Sequence, residues 1–190
     1  MEAAKKVDED FRGWKKALRG SEIAAITAWQ GTDRRYQRIQ AAVSGVGSAS
    51  ENGERLAEEL LSSVLKGRVG RDLTLWRGIR SSISTFGVDS SDLASLIGRT
   101  LPADRFIAAS LSRDVAIKEF TDPPLKGGPA LLRLRVRSGT NAAWIAGAGD
   151  PALREQFEML LRPGVLLKIE KVEYPEDVGV PVISVEVSEP

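Results

Sequence analysis

The spacing of apolar residues changes at Gly70, and this change constrains the fold more than any other feature of the chain. Before it, apolar side chains recur every three or four residues. Phe11, Trp14 and Leu18 do so, then Ile23, Ile26 and Trp29, then Tyr36, Ile39 and Val43, then Leu56, Leu60, Leu61 and Val64. This is the period of a helix with one buried face. Ser21-Glu22, Thr32-Asp33 and Ser50 open the last three segments, and Gly31 and Gly67 stop two of them. Residues 44–53 are small and polar and read as a loop. After Gly70 the pattern suits strands: Leu73, Leu75, Trp76 and Ile79, then Leu131 to Val136, then 156–161, 165–173 and 180–187. Residues 90–97 read as a short helix begun by Ser90 or Ser91, and Ser112 caps a helix running to Phe120. Pro123 and Pro124 make residues 121–128 a loop, and 146–151 is another. Helices followed by strands predict an α+β fold with N-terminal helices packed on an antiparallel sheet system. The amphipathic helices need that sheet as a partner surface. The chain therefore reads as a single domain, 1–190, with a helical lead (1–70) and a β-rich core (71–190).

Composition removes whole classes of chemistry. The chain has no cysteine and no histidine. Disulfides, thiolate nucleophiles, Ser-His-Asp hydrolysis and His-ligated zinc are excluded. Catalysis must rest on carboxylates, Arg, Lys, Tyr, Ser or a bound small molecule. With 27 basic and 26 acidic residues the net charge is +1, which gives no global pull toward nucleic acid or membrane. The first residues, Met1-Glu2-Ala3-Ala4-Lys5-Lys6, lead into a charged segment and do not form a signal peptide. No run approaches the ~20 apolar residues of a membrane span. The expected location is the cytoplasm, or a host or target-cell cytosol reached without a cleaved N-terminal signal.

The richest local signal is Gln156-Phe157-Glu158-Met159-Leu160-Leu161. On a strand, Gln156 and Glu158 share one face, while Glu155, Phe157, Met159 and Leu161 take the other. A one-residue slip reverses this. An amide beside a carboxylate can bind a substrate without a second negative charge competing for the site. Alone, the segment also fits an ordinary edge strand. Two further elements stand upstream of it: Leu75-Trp76-Arg77-Gly78, and Phe106-Ile107-Ala108-Ala109-Ser110-Leu111-Ser112. Arg77 offers a planar fork of donors that stays charged, suited to a pyrophosphate or to a structural ion pair. Gly78 allows backbone to approach closely.

In order and spacing, these three elements resemble the Arg-Ser-Glu class of mono-ADP-ribosyltransferases, the bacterial toxin and phage enzymes that use NAD. Trp29-Gln30-Gly31 with Tyr36 to Ile39 is similar to the family's helical opening. Val136-Arg137-Ser138-Gly139-Thr140 is similar to its strand closed by a basic residue and Gly-Thr, and Arg162-Pro163-Gly164 to the turn after its Glu strand. The resemblance implies helices on an antiparallel two-sheet β core, NAD as substrate and no metal. It implies Arg77, Gly78 and Ser110 as NAD-binding residues. Glu158 becomes the catalytic carboxylate that holds a ribose hydroxyl and stabilises the positive charge of ribose–nicotinamide cleavage. Loop 121–128 falls beside the nicotinamide and phosphates, with Phe120 to stack and Lys126 to touch phosphate; a core role for Phe120 is an equal reading. Residues 146–155 fall where the family meets its target, with Gly147 and Gly149 giving mobility. Trp144 either anchors the target or packs the loop base.

Two departures matter. The family's Ser-Thr-Ser is Ala108-Ala109-Ser110 here, so the serine that orients the Glu is missing; Ser110 or Ser112 is left to substitute, although Ser112 also reads simply as the helix cap. Arginine-modifying members carry Glu where this chain has Gln156. Members with Gln include the clostridial Rho-modifying exoenzymes, acting on asparagine, and pierisin-like enzymes, acting on guanine. The expected acceptor is therefore a macromolecule, a non-arginine protein side chain being favoured over a nucleic-acid base. The balanced charge supports that preference, while Arg133, Arg135 and Arg137 leave a local basic patch open. An immunity protein or antitoxin is an expected partner. Ala108 also leaves open a domain that binds NAD without turnover, and a plain interaction module is the remaining reading.

Overall fold

The computed structural model describes residues 2–31, 33, 35–45 and 50–190. Five helices come first: α1 (Glu2–Asp10), α2 (Arg12–Ala17), α3 (Gly20–Gln30), α4 (Arg35–Ser44) and α5 (Glu51–Lys66). The Ser50 side chain accepts from Gly53 N at 3.2 Å and starts α5, as its sequence predicts. Thr32, expected to open the third segment, lies outside the described residues. The apolar stripes turn inward as the period requires, Leu18, Val43, Leu56 and Leu61 being partly buried against the core and only Ile23 and Tyr36 exposed. Val7, Phe11, Trp14, Ile26, Trp29, Ile39, Leu60 and Val64 join one cluster with Leu75, Leu134, Ile145 and Leu160. The helical lead and the strands thus share a hydrophobic core.

The rest of the chain forms β1 (Leu73–Ile79), α6 (Ser82–Phe86), β2 (Thr100–Pro102), β3 (Ile107–Ser110), α7 (Arg113–Phe120), β4 (Ala130–Val136), β5 (Ala142–Ala143), α8 (Ile145–Ala148), β6 (Glu158–Leu161), β7 (Leu166–Glu173) and β8 (Val182–Ser188). They build one eight-stranded sheet in the order β2-β7-β8-β4-β1-β3-β6-β5. The expected α+β class, with N-terminal helices on a mostly antiparallel β core, holds, and its strands join into one sheet. All pairs are antiparallel except β4 with β8, which run parallel. The sheet nonetheless has a narrow waist. β1 and β4 pair along seven positions, from Leu73↔Val136 to Ile79↔Ala130, whereas β1 meets β3 at Trp76↔Ser110 alone.

That joint positions the site. Ser110 pairs with Trp76 on one side and with Glu158 on the other. Register alone therefore sets Trp76, Ser110 and Glu158 in a row across three neighbouring strands, with Arg77 next to the row. Three segments separated by tens of residues converge where the sheet is thinnest.

Four local expectations need correction. Gly20 starts α3 and Arg19 caps it, so Ser21 lies inside the helix rather than opening it. Residues 156–161 are not a strand throughout. Pro151–Gln156 is a 3-10 helix, and β6 begins at Glu158. Asp150 caps that helix by accepting from Ala152 N at 2.9 Å, with Pro151 at the first helical position, where its missing N–H costs nothing. Phe157 then turns the chain in a left-handed conformation, φ 48°, one that a non-glycine residue rarely adopts. Residues 146–151 are not a plain loop either, since α8 occupies 145–148 with Ile145 and Ala146 buried. The turn at 90–96 is 3-10 and is capped by Asp89 rather than Ser90 or Ser91.

Candidate active site

A cleft of about 770 Å³ opens over the waist of the sheet, between α3, α4 and the strand ends. Arg77, Gly78, Ser110, Phe120, Gln156 and Glu158 all line it. Of the site residues expected from sequence, only Lys126 does not. Its backbone carbonyl accepts the Ser81 hydroxyl at 2.6 Å, tying the 121–128 loop to the start of α6. Among the described residues, the other cations in the cleft wall are Arg80 and Arg105. Phe120 is 44% exposed and presents its ring as part of the wall, not of the core.

Glu158 is held from far away in sequence. Trp29 Nε1 donates to its Oε1 at 2.8 Å, and Gln30 Nε2 reaches its Oε2 at 3.5 Å. Gln30 is fixed in turn, since its Oε1 accepts from Asp150 N at 2.8 Å. A side chain at Gly149 would overlap that Gln30 amide and displace it from its place beside Glu158. Trp29 is buried and meets Phe106 edge-on at 5.8 Å and Tyr36 at 6.3 Å. The orienting role expected of a serine at position 108 thus belongs to the last two residues of α3.

Ser110 has a different task. It is buried, donates its hydroxyl to Gln156 O at 2.6 Å and accepts from Ser112 N at 2.9 Å. With Leu111 N donating to Phe157 O at 3.1 Å, it pins the turn that delivers Glu158. The Ser112 hydroxyl accepts from Val115 N and caps α7. Arg77 Nη1 donates to Ala108 O at 2.8 Å, which aims the guanidinium along β3 and leaves its other N–H groups without a carboxylate partner among the described residues. A Cβ at Gly78 would overlap the Ala116 carbonyl and press on Phe120. Close approach at Gly78 is therefore between β1 and α7, and it sets Phe120 beside the cleft.

Burial governs the electrostatics. It raises the Glu158 pKa above the ordinary carboxylate value; Trp29, Gln30 and Arg77 oppose the rise, and Glu119 adds to it. Burial likewise lowers the Arg77 pKa, helped by Arg105 and opposed by Glu158. Arg77 remains a cation across the working range. The cleft thus holds an ionisable carboxylate on neutral donors and a guanidinium without a counter-ion. Such a site suits a substrate carrying its own phosphates and a centre that becomes positive.

Sequence reasoning missed Trp29 and Gln30 as supports of Glu158, and it missed Arg80, Arg105 and Glu119 in the wall. The Trp29-Gln30-Gly31 element was visible, but no local pattern links it to a residue 129 positions away. Trp144 resolves in favour of packing: it is buried, with Nε1 donating to Asp8 Oδ1 at 2.7 Å. Among the described residues no His, Cys, Asp or Glu cluster suits a metal ion. No described helix is long and apolar enough to cross a membrane.

No protein-family model matches the sequence, and no curated protein matches it. Solved structures do. The ADP-ribosylating toxin BECa of a C. perfringens binary enterotoxin, determined with NADH, superposes with a TM-score of 0.76 at 20% identity, covering 98% of this chain and 48% of that one. The chain thus spans about half the length of that toxin. Plx2a, an ADP-ribosyltransferase toxin from Paenibacillus larvae, gives 0.75 at 20% identity over 98% of this chain and 94% of its own. C3stau2 from S. aureus, determined with NAD, gives 0.74 at 18% identity over 100% and 96%. The fold is that of these toxins.

Proposed function

We propose that the chain is an NAD-dependent mono-ADP-ribosyltransferase. One observation carries the reading: in a fold shared with ADP-ribosylating toxins, Arg77, Ser110 and Glu158 converge across three adjacent strands at one cleft. Its volume, about 770 Å³, falls in the range of small-molecule sites. Two of the superposing structures hold NADH or NAD. In this reading Arg77, with Arg80 and Arg105, meets the pyrophosphate by charge-assisted hydrogen bonds. Phe120 offers an aromatic face to the nicotinamide. Glu158 holds the nicotinamide ribose and stabilises the positive charge that develops at C1′. Nicotinamide leaves as a neutral molecule, taking the electron pair of the broken C–N bond.

The acceptor in this proposal is a protein side chain other than arginine. Gln156 lines the cleft as a neutral amide. A neutral acceptor meets the positive C1′ without charge repulsion, whereas a guanidinium brings a second positive charge to it. The basic strand residues do not form a free patch for nucleic acid. Arg133 lies 3.6 Å from Glu173, Arg135 lies 3.1 Å from Glu170 and 3.2 Å from Glu186, and Arg137 lies 3.2 Å from Asp72 and 3.0 Å from Glu186. This pairing favours a protein target. Action in a target-cell cytosol as an effector or toxin, held in check by an immunity protein, follows from the same reading.

NAD labelled in the nicotinamide ring tests the core claim. The folded protein is expected to release label, and Arg77→Ala to weaken NAD binding by roughly 1.5–3 kcal/mol, about 10- to 150-fold in Kd. A folded protein that neither binds NAD nor releases nicotinamide rules the reading out.

A further inference from the structure

Gln156 is not alone at its end of the cleft. Its Nε2 donates to Glu119 Oε2 at 3.0 Å. Glu119 belongs to the last turn of α7, next to Phe120, and lines the same cleft as Gln156 and Glu158. It is exposed, and among the described residues no ion pair and no other hydrogen bond engages it. By contrast, Glu155, adjacent to Gln156 in sequence, is exposed and not part of the cleft wall.

The pairing has a directional consequence. A primary amide has two N–H donors and one acceptor oxygen. With one donor spent on Glu119, Gln156 keeps its oxygen for a substrate, and Glu119 keeps its second oxygen. The pair offers two acceptor oxygens toward a group that carries N–H bonds. The carboxylate that β6 and its preceding turn lack at position 156 is supplied from a different element, 37 residues earlier. Gly78 makes this possible, because only a glycine lets α7 lie close enough on β1 to bring its last turn over the cleft.

We propose that Glu119 is the acceptor-side carboxylate of this enzyme: Gln156 orients an attacking nitrogen through its amide oxygen, and Glu119 takes the proton that nitrogen loses. The proposal rests on the transferase reading above. The bond formed joins C1′ of the ribose to the acceptor nitrogen. The bond broken joins C1′ to nicotinamide, which leaves neutral with the electron pair. The nitrogen becomes acidic only as its new bond forms, and its proton passes to the Glu119 carboxylate. Glu158 stays with the ribose throughout, so the two carboxylates divide the work: one on the donor, one on the acceptor.

This division predicts different losses in two reactions. Hydrolysis of NAD uses water as the acceptor, whereas transfer uses a positioned nitrogen. The test follows nicotinamide release and covalent labelling together, with NAD labelled in the adenosine and a whole-cell protein extract as the acceptor pool. Glu119→Gln keeps the size and the hydrogen bond to Gln156 but removes the base. It is expected to lower the ratio of transfer to hydrolysis by about 100-fold, the scale of a lost general base. Glu119→Asp is expected to recover part of that ratio. An unchanged ratio in Glu119→Gln, whether both rates hold or both fall equally, overturns the assignment. If the unaltered protein releases nicotinamide but labels nothing, or releases none, the transferase reading itself fails. These outcomes keep the two claims apart.

Discussion

Helix α3 serves two carboxylates, one buried in the core and one half-buried at the cleft, and the two are treated in opposite ways. Glu22, near its start, is fully buried and surrounded by partners: Arg19 N donates at 2.8 Å, Lys66 Nζ lies 2.7 Å away and Ser62 Oγ donates at 2.7 Å. Burial pushes its pKa up, but the combined donors win and bring it from 4.5 down to about 2. Glu158, contacted by the last two residues of the same helix, receives an indole N–H and an amide N–H but no direct cation. There burial wins, and the pKa rises. Desolvation is thus compensated in one place and left standing in the other. Glu22 has the surroundings of a structural charge. Glu158 has those of a group whose missing compensation is supplied by a substrate that becomes positive.

The sharpest way to break this contrast is to neutralise Glu158. Glu158→Gln is expected to lower nicotinamide release about 100- to 1000-fold, as loss of a preorganised charge does. The fold should not suffer. A buried acid with a raised pKa holds its proton more tightly folded than unfolded. Its contribution to stability is therefore present at low pH and lost as pH rises through the folded pKa. Neutral glutamine removes that liability, so the midpoint of thermal unfolding near neutral pH should stay level or rise. A fall in stability comparable to the loss of activity means Glu158 is a structural group.

Glu22→Gln should show the reverse. Its folded pKa lies below its unfolded value, so its stabilisation is fully present above about pH 4.5 and lost as pH falls through about 2. The difference corresponds to roughly 3 kcal/mol. The variant is expected to lose about 2 kcal/mol at neutral pH, since Arg19 and Lys66 keep partial contact with water. It should also flatten the acid limb of stability measured by denaturant unfolding. NAD turnover per folded molecule should be preserved. An unaltered acid limb means that other carboxylates set it.

The same contrast separates what the sequence discloses from what it does not. Periodicity and caps locate α3, α5 and α7, because Ser50, Ser112, Gly31 and Gly67 act within a few residues of themselves. The order Arg77, Ser110, Glu158 was legible as well, since strand motifs keep their sequence order when register aligns them. The supports of Glu158 were not, because Trp29 and Gln30 reach it across more than a hundred residues and their local pattern is that of any helix end. The turn at Phe157 was hidden for another reason. Gln-Phe-Glu reads as strand alternation, and only the tertiary contacts of Ser110 and Leu111 hold a phenylalanine in a left-handed conformation. Parallel pairing of β4 with β8, and the single sheet it closes, likewise leave no mark in either strand alone. Glu119 carries no motif of its own, and only the packing of α7 on β1 at Gly78 brings it to the cleft.

The smallest effects discriminate most finely between the two ways of holding Glu158. Trp29→Phe keeps an aromatic ring in the core but deletes the N–H that donates at 2.8 Å. It is expected to raise the Glu158 pKa further and to cost about tenfold in nicotinamide release near neutral pH, one charge-assisted hydrogen bond's worth. Ala108→Ser restores the residue type expected from the family resemblance. Here, however, Ala108 pairs with Leu160, two positions along β6 from Glu158, while the carboxylate is already satisfied by α3. The added hydroxyl should change release by less than about twofold in the unaltered background, within the range of a substitution that meets no unsatisfied partner. In the Trp29→Phe background Glu158 Oε1 has lost its donor, and a hydroxyl within reach should then recover a measurable part of the tenfold loss. A tenfold gain from Ala108→Ser alone means that Trp29 and Gln30 leave the carboxylate under-held. No recovery in the double variant means that position 108 does not reach Glu158 in this fold.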